Sequence, residues 1–593
     1  MPDVVPFEVI LRTPWGGPWR RFSRPFQVLA AHDPLDVRAA LAQVDQAVRG
    51  GAYAAGFLTY EAGGAFGLPV REPAPGLPLL CFGLFAPEQV EPLNRLPAAG
   101  SASLGDWQPT VDHAAYLGAI DRIKSSIEAG DTYQINFTFR LTAPFEGEPA
   151  ALMRDLYAGQ AGPWSAYVET GDHVICSASP ELFFSLEGER LVCRPMKGTA
   201  PRGYWPEQDE ASGRALWASA KNRAENVMIV DMVRNDIGRI SRTGSVNVST
   251  LFAVERYPVQ WQMTSTVEGV TEARSLLRLF EAMFPSASIT GAPKHSSMGI
   301  IRQLETTPRG IYTGAIGYVS PRGRAHFNVA IRTVLVDRVA GSAEFGIGSG
   351  VVWDSVDRDE YDECLLKAQV IGSVGGGSST APSYVIGDRP GFQLLETLRW
   401  TPTHGFTLLD RHIARICASA ACFGISADAA GIKRALDDAV GDLRGPARIR
   451  LLLEADGGIS CEGVDLIPLN EPLRVALALA PVDPADVFLY HKTTRRDVYE
   501  RARASRPDAD TVILWNPNGE VTEAAEFNLV IICDGQKLTP PVSSGLLPGT
   551  MRAELLDAGE IVERVVTVDD LRAAESIWLI NSVRGWMRAA LVG

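Results

Sequence analysis

Arg194-Pro195-Met196-Lys197-Gly198-Thr199 is the stretch from which the first half of this sequence can be read. Just upstream, Glu181-Leu182-Phe183-Phe184-Ser185 alternates like a strand, turns through Glu187-Gly188-Glu189, and returns as Leu191-Val192-Cys193. Period-two alternation closed by a glycine turn predicts a β-hairpin. Such a hairpin sets Glu181 near the top of one strand and Lys197 at the end of the next. A carboxylic acid beside an amine nucleophile suits substitution chemistry, because one group protonates what leaves while the other attacks. An isolated lysine after a strand is ordinarily a solvated surface group. The residues that accompany Lys197 further along argue otherwise.

The bulk properties narrow the field. A chain of 593 residues exceeds one compact core, so roughly two to four domains are expected. The net charge of −14 argues against nucleic acid or an anionic membrane as partner, since phosphate binding needs a basic face. No apolar run approaches the roughly 18 residues of a membrane span. Met1-Pro2-Asp3-Val4-Val5-Pro6 has no basic flank or apolar core, so no export signal is read there. The eight cysteines form no C-x-x-C pair and read as reduced thiols of a cytoplasmic protein. The eight histidines are scattered, which makes a zinc site an unattractive reading.

Gly372-Ser373-Val374-Gly375-Gly376-Gly377-Ser378-Ser379-Thr380 is a flexible polar linker that divides the chain in two. Upstream of it, Phe57 to Gly64 reads as a strand running into a glycine turn. Asp112 to Gly130 reads as a helix, with Tyr116, Ile120, Ile123 and Ile127 at helical spacing. Gln134 to Phe139 reads as a strand with its polar side chains on one face. Asp209 to Ile240 reads as one long helical stretch, in which Glu225 is either an exposed helix residue or a metal-directed carboxylate. Ser286-Ala287-Ser288-Ile289-Thr290-Gly291-Ala292-Pro293-Lys294 is a small-residue loop that lets backbone approach an anion. Tyr312 to Tyr318 and Asn328 to Thr333 read as strands, and Arg332 on the second needs an anion: a substrate carboxylate or a structural Asp or Glu. Gly346-Ile347-Gly348-Ser349-Gly350 reads as a turn or as a nest of amides. Glu360, Glu363 and Lys367 share a helical face, where they are either a solvated Glu–Lys pair or, with Glu225 across a cleft, a magnesium site.

Taken together, in this order, these motifs resemble the chorismate-utilising enzymes, and among them the aminodeoxychorismate synthase component I branch. The likeness covers most of residues 110 to 371. Anthranilate synthases are similar but carry Ala at the position of Lys197. The resemblance implies that magnesium, held by Glu225 and Glu363 with Glu360 nearby, clamps the ring carboxylate of chorismate. It implies Lys197 as nucleophile at ring position 2 and Glu181 as the acid for the departing 4-hydroxyl. Arg332, Tyr312 and the amides near Gly348 would then bind the enolpyruvyl carboxylate, with Thr290 and Lys294 also on the substrate side. The family often has His where this chain has Gln262. No glutaminase nucleophile motif is found here, so a separate glutamine amidotransferase is the expected ammonia source.

Beyond the linker, Gln393 to Trp400 reads as a strand, Leu408 to Ile416 as a helix and Arg448 to Leu453 as a strand. Trp515-Asn516-Pro517-Asn518-Gly519-Glu520 reads as a hairpin turn. Gly549-Thr550 reads as a helix N-terminus suited to a phosphate. A lysine, a carboxylate and a phosphate cradle are what pyridoxal 5'-phosphate requires. This half resembles the class IV aminotransferases, within them the 4-amino-4-deoxychorismate lyases, over about residues 391 to 590. The resemblance makes Lys492 the Schiff-base lysine, Glu523 the partner of the pyridine nitrogen and Arg415 a phosphate ligand. Gly549 and Thr550 become the phosphate loop, and Asn581 and Ser582 a cofactor-side loop. Arg411 and Arg450 are left as surface or substrate-side residues.

The expected fold is therefore a two-part α+β and α/β chain. A chorismate-binding β-sandwich with surrounding helices precedes a fold-type IV two-subdomain α+β unit. The expected divisions are residues 1–110, an N-terminal part of the synthase region; 111–371, its catalytic domain; 372–383, the linker; and 384–593, the lyase domain. The implied function is synthesis of 4-aminobenzoate from chorismate in two consecutive steps, and a homodimer through the lyase domain is compatible with it. Two rivals are an isochorismate- or salicylate-type synthase fused to a branched-chain or D-amino-acid transaminase, and a chorismate-binding scaffold without catalysis.

Overall fold

The computed structural model describes residues 7–13, 17–97, 100–160, 162–355, 361, 364, 384 and 391–592. The chain divides into two compact units. One comprises Met1–Ala200 with Gly213–Ser379, and the other Pro201–Ser212 with Thr380–Gly593. No helix among the described residues is long and apolar enough to cross a membrane, and the eight cysteines are free thiols.

The first unit is built on an 11-stranded and a 10-stranded sheet. The expected hairpin is present: Leu182–Glu187 pairs antiparallel with Arg190–Arg194, Leu182 lying opposite Arg194. Glu181 and Lys197 therefore leave the same end of that hairpin. Both sheets take strands from either side of residue 110. Glu8–Arg12 pairs with Ala166–Glu169 in the larger sheet, and Tyr53–Leu58 pairs with Ala315–Val319 in the other. One apolar cluster draws Val9, Phe22 and Ile175 from the first sheet together with Phe57, Cys81 and Ile316 from the second.

Four local readings change in the structure. The helical stretch after Asp209 is two helices, Pro206–Ala218 and Ala220–Gly238. They are divided at Ser219, whose hydroxyl caps the second by accepting from Asn222 N at 3.3 Å. Asn328 to Thr333 is not one strand. Ala325–Val329 ends in one sheet, Thr333–Asp337 begins in the other, and the chain crosses between them through Arg332 at φ 50. Tyr312 and Thr313 precede the strand Ala315–Val319 rather than belonging to it, with Thr313 at φ 63. Gly346 to Gly350 is neither turn nor nest but lies inside the strand Ser342–Val351. Its partner is Gln134–Gly147, with Gly346 opposite Arg140, Gly348 opposite Thr138 and Gly350 opposite Asn136. The polar face of that partner strand is buried, because a row of glycines beside it makes room.

A buried charge network holds the loops beneath this sheet. Arg309 pairs with Glu305 at 2.7 Å and donates to the carbonyls of Ile289 and Asn136, both at 2.7 Å. Glu305 also accepts from Thr138 N and Thr138 Oγ1, and Glu61 accepts from Arg309 N and Gly310 N. One guanidinium thus ties together three segments that border Thr290 and Tyr312.

The second unit contains a four-stranded and an eight-stranded sheet. Leu394–Thr401 and Ala447–Leu453 form the centre of the smaller one. The helices Leu409–Phe423 and Ala429–Ala439 cover it through Ile416, Ala420, Ile432 and Leu436. The predicted turn at Asn516–Gly519 closes the hairpin between Thr511–Trp515 and Val521–Ala524, with Gly519 at φ 76.

Arg309→Met should lower the stability of the first unit by about 3–5 kcal/mol, since it leaves the Glu305 carboxylate buried without its main partner. Urea unfolding measures this. A loss below about 1 kcal/mol would show that Arg140 and Thr138 suffice to hold Glu305.

Candidate active sites

In the first unit, Lys197 lies on the strand Met196–Pro201 at the margin of the smaller of the two sheets. Its amine is 3.7 Å from Glu225 Oε2, and both side chains are largely buried. A Cβ built on Gly350 would lie 2.2 Å from Lys197 Nζ and 2.7 Å from Gln134 Nε2, so the lysine rests directly on a glycine. Asn226 Nδ2 donates to Lys197 O at 3.3 Å, and Gln262 Nε2 donates to Gly198 O at 2.8 Å. Gln262 is thus a clamp on the lysine strand.

Glu181 is buried and accepts from Ser288 Oγ at 2.5 Å. Burial pushes its pKa up to about 7 against the opposing pull of Ser288, Lys197 and Met196 N, so near neutrality it can carry a proton to a leaving group. Ser288 and Asn226 have no assignment from sequence. Ser288 sits in the small-residue loop already noticed, but its contact with Glu181 spans 107 positions and needs the fold.

Tyr312 is buried, and a Cβ at Gly346 would meet its ring at 2.1 Å. Gly346 and Gly350 share a face of one strand, which sets Tyr312 and Lys197 about 13 Å apart along it. Gly348 lies between, inside the same strand. Arg332 has no carboxylate partner among the described residues. It donates to Gln160 Oε1, and burial lowers its pKa to about 10. Thr290 turns its hydroxyl onto the carbonyls of Ser286 and Ala287. Lys294 pairs with Asp236 at 2.7 Å and donates to Met283 O at 2.9 Å. Glu360, Glu363 and Lys367 lie outside the described residues. Among the described residues no group of three His, Cys, Asp or Glu side chains could hold a metal ion. Glu225 faces a cation, Lys197, which fits a carboxylate able to take a metal.

In the second unit, a cavity of about 960 Å³ is lined by Lys492, Glu523, Arg415, Thr550, Asn581 and Ser582, among others. Burial lowers the Lys492 pKa to about 8; Arg415 lowers it further, while Glu396 and Glu523 oppose. Glu523 is buried, and burial lifts its pKa to about 7. It accepts from Tyr499 Oη at 2.7 Å and Leu547 N at 3.2 Å. Arg415 is held by Glu396 through two bonds of 2.8 and 2.7 Å. His412 Nδ1 meets Glu396 at 2.6 Å, and its Nε2 meets Ser582 Oγ at 2.9 Å and Thr550 Oγ1 at 3.2 Å. Although burial pushes Glu396 up, Arg415 and His412 hold its carboxyl well below the usual carboxylate range. Gly549 caps the helix Thr550–Asp557, and a Cβ there would meet Asn528 Oδ1 at 1.8 Å. Asn581 braces its own loop by accepting from Val583 N and Arg584 N. Arg411 is a surface residue paired with Glu554 and Asp557. A lysine with no carboxylate ion pair among the described residues, an acid near 7 and a helix N-terminus on one cavity fit an aldehyde cofactor carrying a pyridine nitrogen and a phosphate. Tyr499, Glu396 and His412 were not assigned from sequence; a charge inside a buried strand was the signal available for Glu396.

The sequence profile described as chorismate binding enzyme matches residues 21–373. The chain belongs to that family. A second profile, amino-transferase class IV, matches residues 393–592. The chain is 38% identical over 282 residues to aminodeoxychorismate synthase component 1 of Bacillus subtilis, covering 46% of this chain and 60% of that protein. It is 36% identical over 281 residues to anthranilate synthase component 1 of Thermus thermophilus, covering 47% and 60%. The structure of anthranilate synthase component I from Streptococcus pneumoniae superposes with a TM-score of 0.50 at 25% identity, over 62% of this chain and 89% of that one. The chain thus covers about 60% of the length of these two curated relatives.

Gly350→Ala should displace the Lys197 amine while leaving the sheet paired. The expected result is at least about a hundredfold loss in turnover of chorismate with an unchanged melting temperature. Retained turnover would mean that the amine does not work from its position over Gly350.

Proposed function

We propose that this chain makes 4-aminobenzoate in two steps, amination of chorismate in the first unit and loss of pyruvate in the second. The observation that carries the proposal is the Lys197 amine seated over Gly350, 3.7 Å from Glu225, in the pocket where Glu181 is poised to give up a proton. The relatives include both aminodeoxychorismate and anthranilate synthases at nearly equal identity, so overall similarity does not choose between them. Lys197 does, because a nucleophilic amine there has a task in amination at ring position 4.

In the first step Lys197 Nζ bonds to C2 of chorismate. Both conjugated ring double bonds shift, from C1=C2 and C5=C6 to C1=C6 and C4=C5, as the C4–O bond breaks, with Glu181 donating the proton that lets water leave. Ammonia then bonds to C4, both double bonds shift back, and the C2–N bond breaks to release Lys197. Glu181 regains a proton from the incoming ammonia. Magnesium held by Glu225 with Glu363 and Glu360 would supply positive charge to the ring carboxylate. Arg332, which lacks a protein counter-charge among the described residues, is available to the enolpyruvyl carboxylate, with Tyr312, packed on Gly346, and the strand at Gly348 completing that side. Asn226 and Gln262 fix the carbonyls around Lys197, so the amine is presented without backbone reorganisation.

In the second step the residues of the cavity do three things. Arg415, Thr550, Ser582 and the amides at Gly549 would hold the phosphate of the cofactor. Glu523 would keep a proton at its pyridine nitrogen, steadied by Tyr499. Lys492 Nζ takes the proton from ring C4 while the C3–O bond breaks, so pyruvate leaves and the ring becomes aromatic. Pyridoxal 5'-phosphate, when bound, supplies the electron sink that makes the C4 proton acidic.

The reading includes a glutamine amidotransferase as ammonia donor, which the component 1 label of the relatives supports, and a cytoplasmic setting, which the free thiols support. The expected β-sandwich belongs to it as well, supported by the apolar cluster common to the two sheets of the first unit. A homodimer through the lyase domain is compatible with it.

The deciding assay supplies chorismate, magnesium, ammonia and pyridoxal phosphate and identifies the products by mass. The expected products are 4-aminobenzoate and pyruvate; anthranilate, isochorismate or salicylate would overturn the amination reading. Lys492→Ala should abolish the visible absorbance of bound cofactor and the release of pyruvate from supplied aminodeoxychorismate. A surviving band would mean that another lysine holds the cofactor.

A further inference from the structure

The cavity around Lys492 carries positive charge that the chemistry above does not use. Leu395 and Thr397 line it beside Arg448 and Arg450, on one face of the four-stranded sheet. The ladder orders them: Leu395 pairs with Leu452, Thr397 with Arg450, and Arg399 with Arg448. Leu395 N donates to Lys492 O at 2.9 Å, so this ladder begins at the lysine. Successive pairs on the same face lie about 7 Å further along. Arg584 joins them from the loop after Ser576–Asn581.

These guanidiniums are not neutralised. Among the described residues Arg448, Arg450 and Arg584 have no ion pair with a carboxylate, and Glu462, directly across the ladder from Arg450, makes none with it. Arg584 donates to the backbone carbonyl of Ile467. Its pKa is lowered by partial burial and by the repulsion of Arg448 and Arg399. Elsewhere on the cavity rim the arginines are paired: Arg474 with Asp510 at 2.9 Å, and Arg503 with Glu526. Arg496 spends its guanidinium on Ala525 O and on the face of Tyr499. Arginines gathered on one cavity wall without carboxylate partners among the described residues attract an arriving anion.

We infer that Arg448, Arg450 and Arg584 form an anion-receiving wall that selects a dicarboxylate amine as substrate of the second unit. The inference deepens the lyase reading and rests on it. Aminodeoxychorismate carries its amine at C4, one carboxylate across the ring at C1 and another on the enolpyruvyl group at C3. With the amine at Lys492, both carboxylates project towards the arginines one and two pairs along the ladder. An ordinary α-amino acid has its carboxylate beside its amine, too close to Lys492 to reach them. The wall therefore measures the distance between amine and carboxylate.

The test uses the full chain with bound cofactor and the double variant Arg448→Gln, Arg450→Gln. The KM for aminodeoxychorismate should rise at least about tenfold with a smaller fall in kcat, and Arg450→Lys should recover part of the loss where Arg450→Gln does not. A KM within about twofold of the parent, with normal cofactor absorbance, would overturn the wall. Chorismate is the second probe, having both carboxylates and no amine. It should perturb the visible cofactor absorbance of the parent and need about tenfold more ligand to do so in the double variant. If the parent binds cofactor but releases no pyruvate, the lyase reading fails. The chorismate titration then still decides the wall, and equal titrations of parent and variant would overturn it.

Discussion

The first unit depends on backbone exposed by missing side chains. Along Ser342–Val351 every second residue from Gly346 to Gly350 is glycine, and the strand opposite sets Arg140, Thr138 and Asn136 against them. A Cβ at any of the three would overlap an existing atom: the Tyr312 ring at 2.1 Å, Phe137 O at 2.5 Å or Lys197 Nζ at 2.2 Å. Glycine weakens a strand, so this row costs stability. That cost is offset by the long ladder with Gln134–Gly147, which supplies regular pairing over ten residues. What is gained is a flat floor on which an aromatic ring and an amine can lie.

A floor of this kind is useful if its walls do not move, and here the walls are fixed by buried charge. Arg309 reaches Ile289, Asn136 and Thr313 from a single guanidinium. Glu305 and Glu61 supply the counter-charge and occupy the backbone donors that the turns leave over. Such networks contribute little net stability, because desolvation cancels most of the attraction. Their value is geometric. Each segment bordering the pocket is tied to the same rigid group, so the segments cannot drift independently.

The parts of this arrangement that could be read from sequence were those set by neighbours along the chain. The hairpin carrying Glu181 and Lys197 follows from alternation and a glycine turn. Gly549-Thr550 followed by a helix, and the turn at Asn516–Gly519, are local signals as well. The misread parts are set by distant residues. Gly346 to Gly350 looks like a turn because glycine is rare in strands; its role depends on a polar strand some 200 positions away in sequence. The pairing of Lys294 with Asp236, 58 positions earlier, is likewise a long-range contact that local pattern does not show. Glu396, His412 and Arg415 become one cluster when a strand and a helix are packed together. Periodicity reports which face of an element is buried, but not what that face will meet.

The two lysines show how the same side chain is prepared in opposite ways. Lys197 is placed by contact, with a carboxylate at 3.7 Å, a glycine beneath and its flanking carbonyls held by Asn226 and Gln262. Its surroundings fix where the amine is. Among the described residues Lys492 has no ion pair with a carboxylate, and Glu396, one of the two carboxylates that act on it, is shared between Arg415 and His412. Desolvation, helped by Arg415, outweighs the opposing pull of Glu396 and Glu523, and its pKa falls to about 8. At neutral pH this raises the fraction of neutral amine by a factor on the order of 300 over an exposed lysine. An amine that must add to an aldehyde needs that fraction, and one that later removes a ring proton needs a basicity not far above neutrality. Glu396 still pulls the Lys492 pKa upward, but its carboxylate is shared with Arg415 and His412, and Arg415 itself repels the ammonium. The buried cluster beside the cavity thus orients Arg415 and sets a cation as well as an anion against the amine.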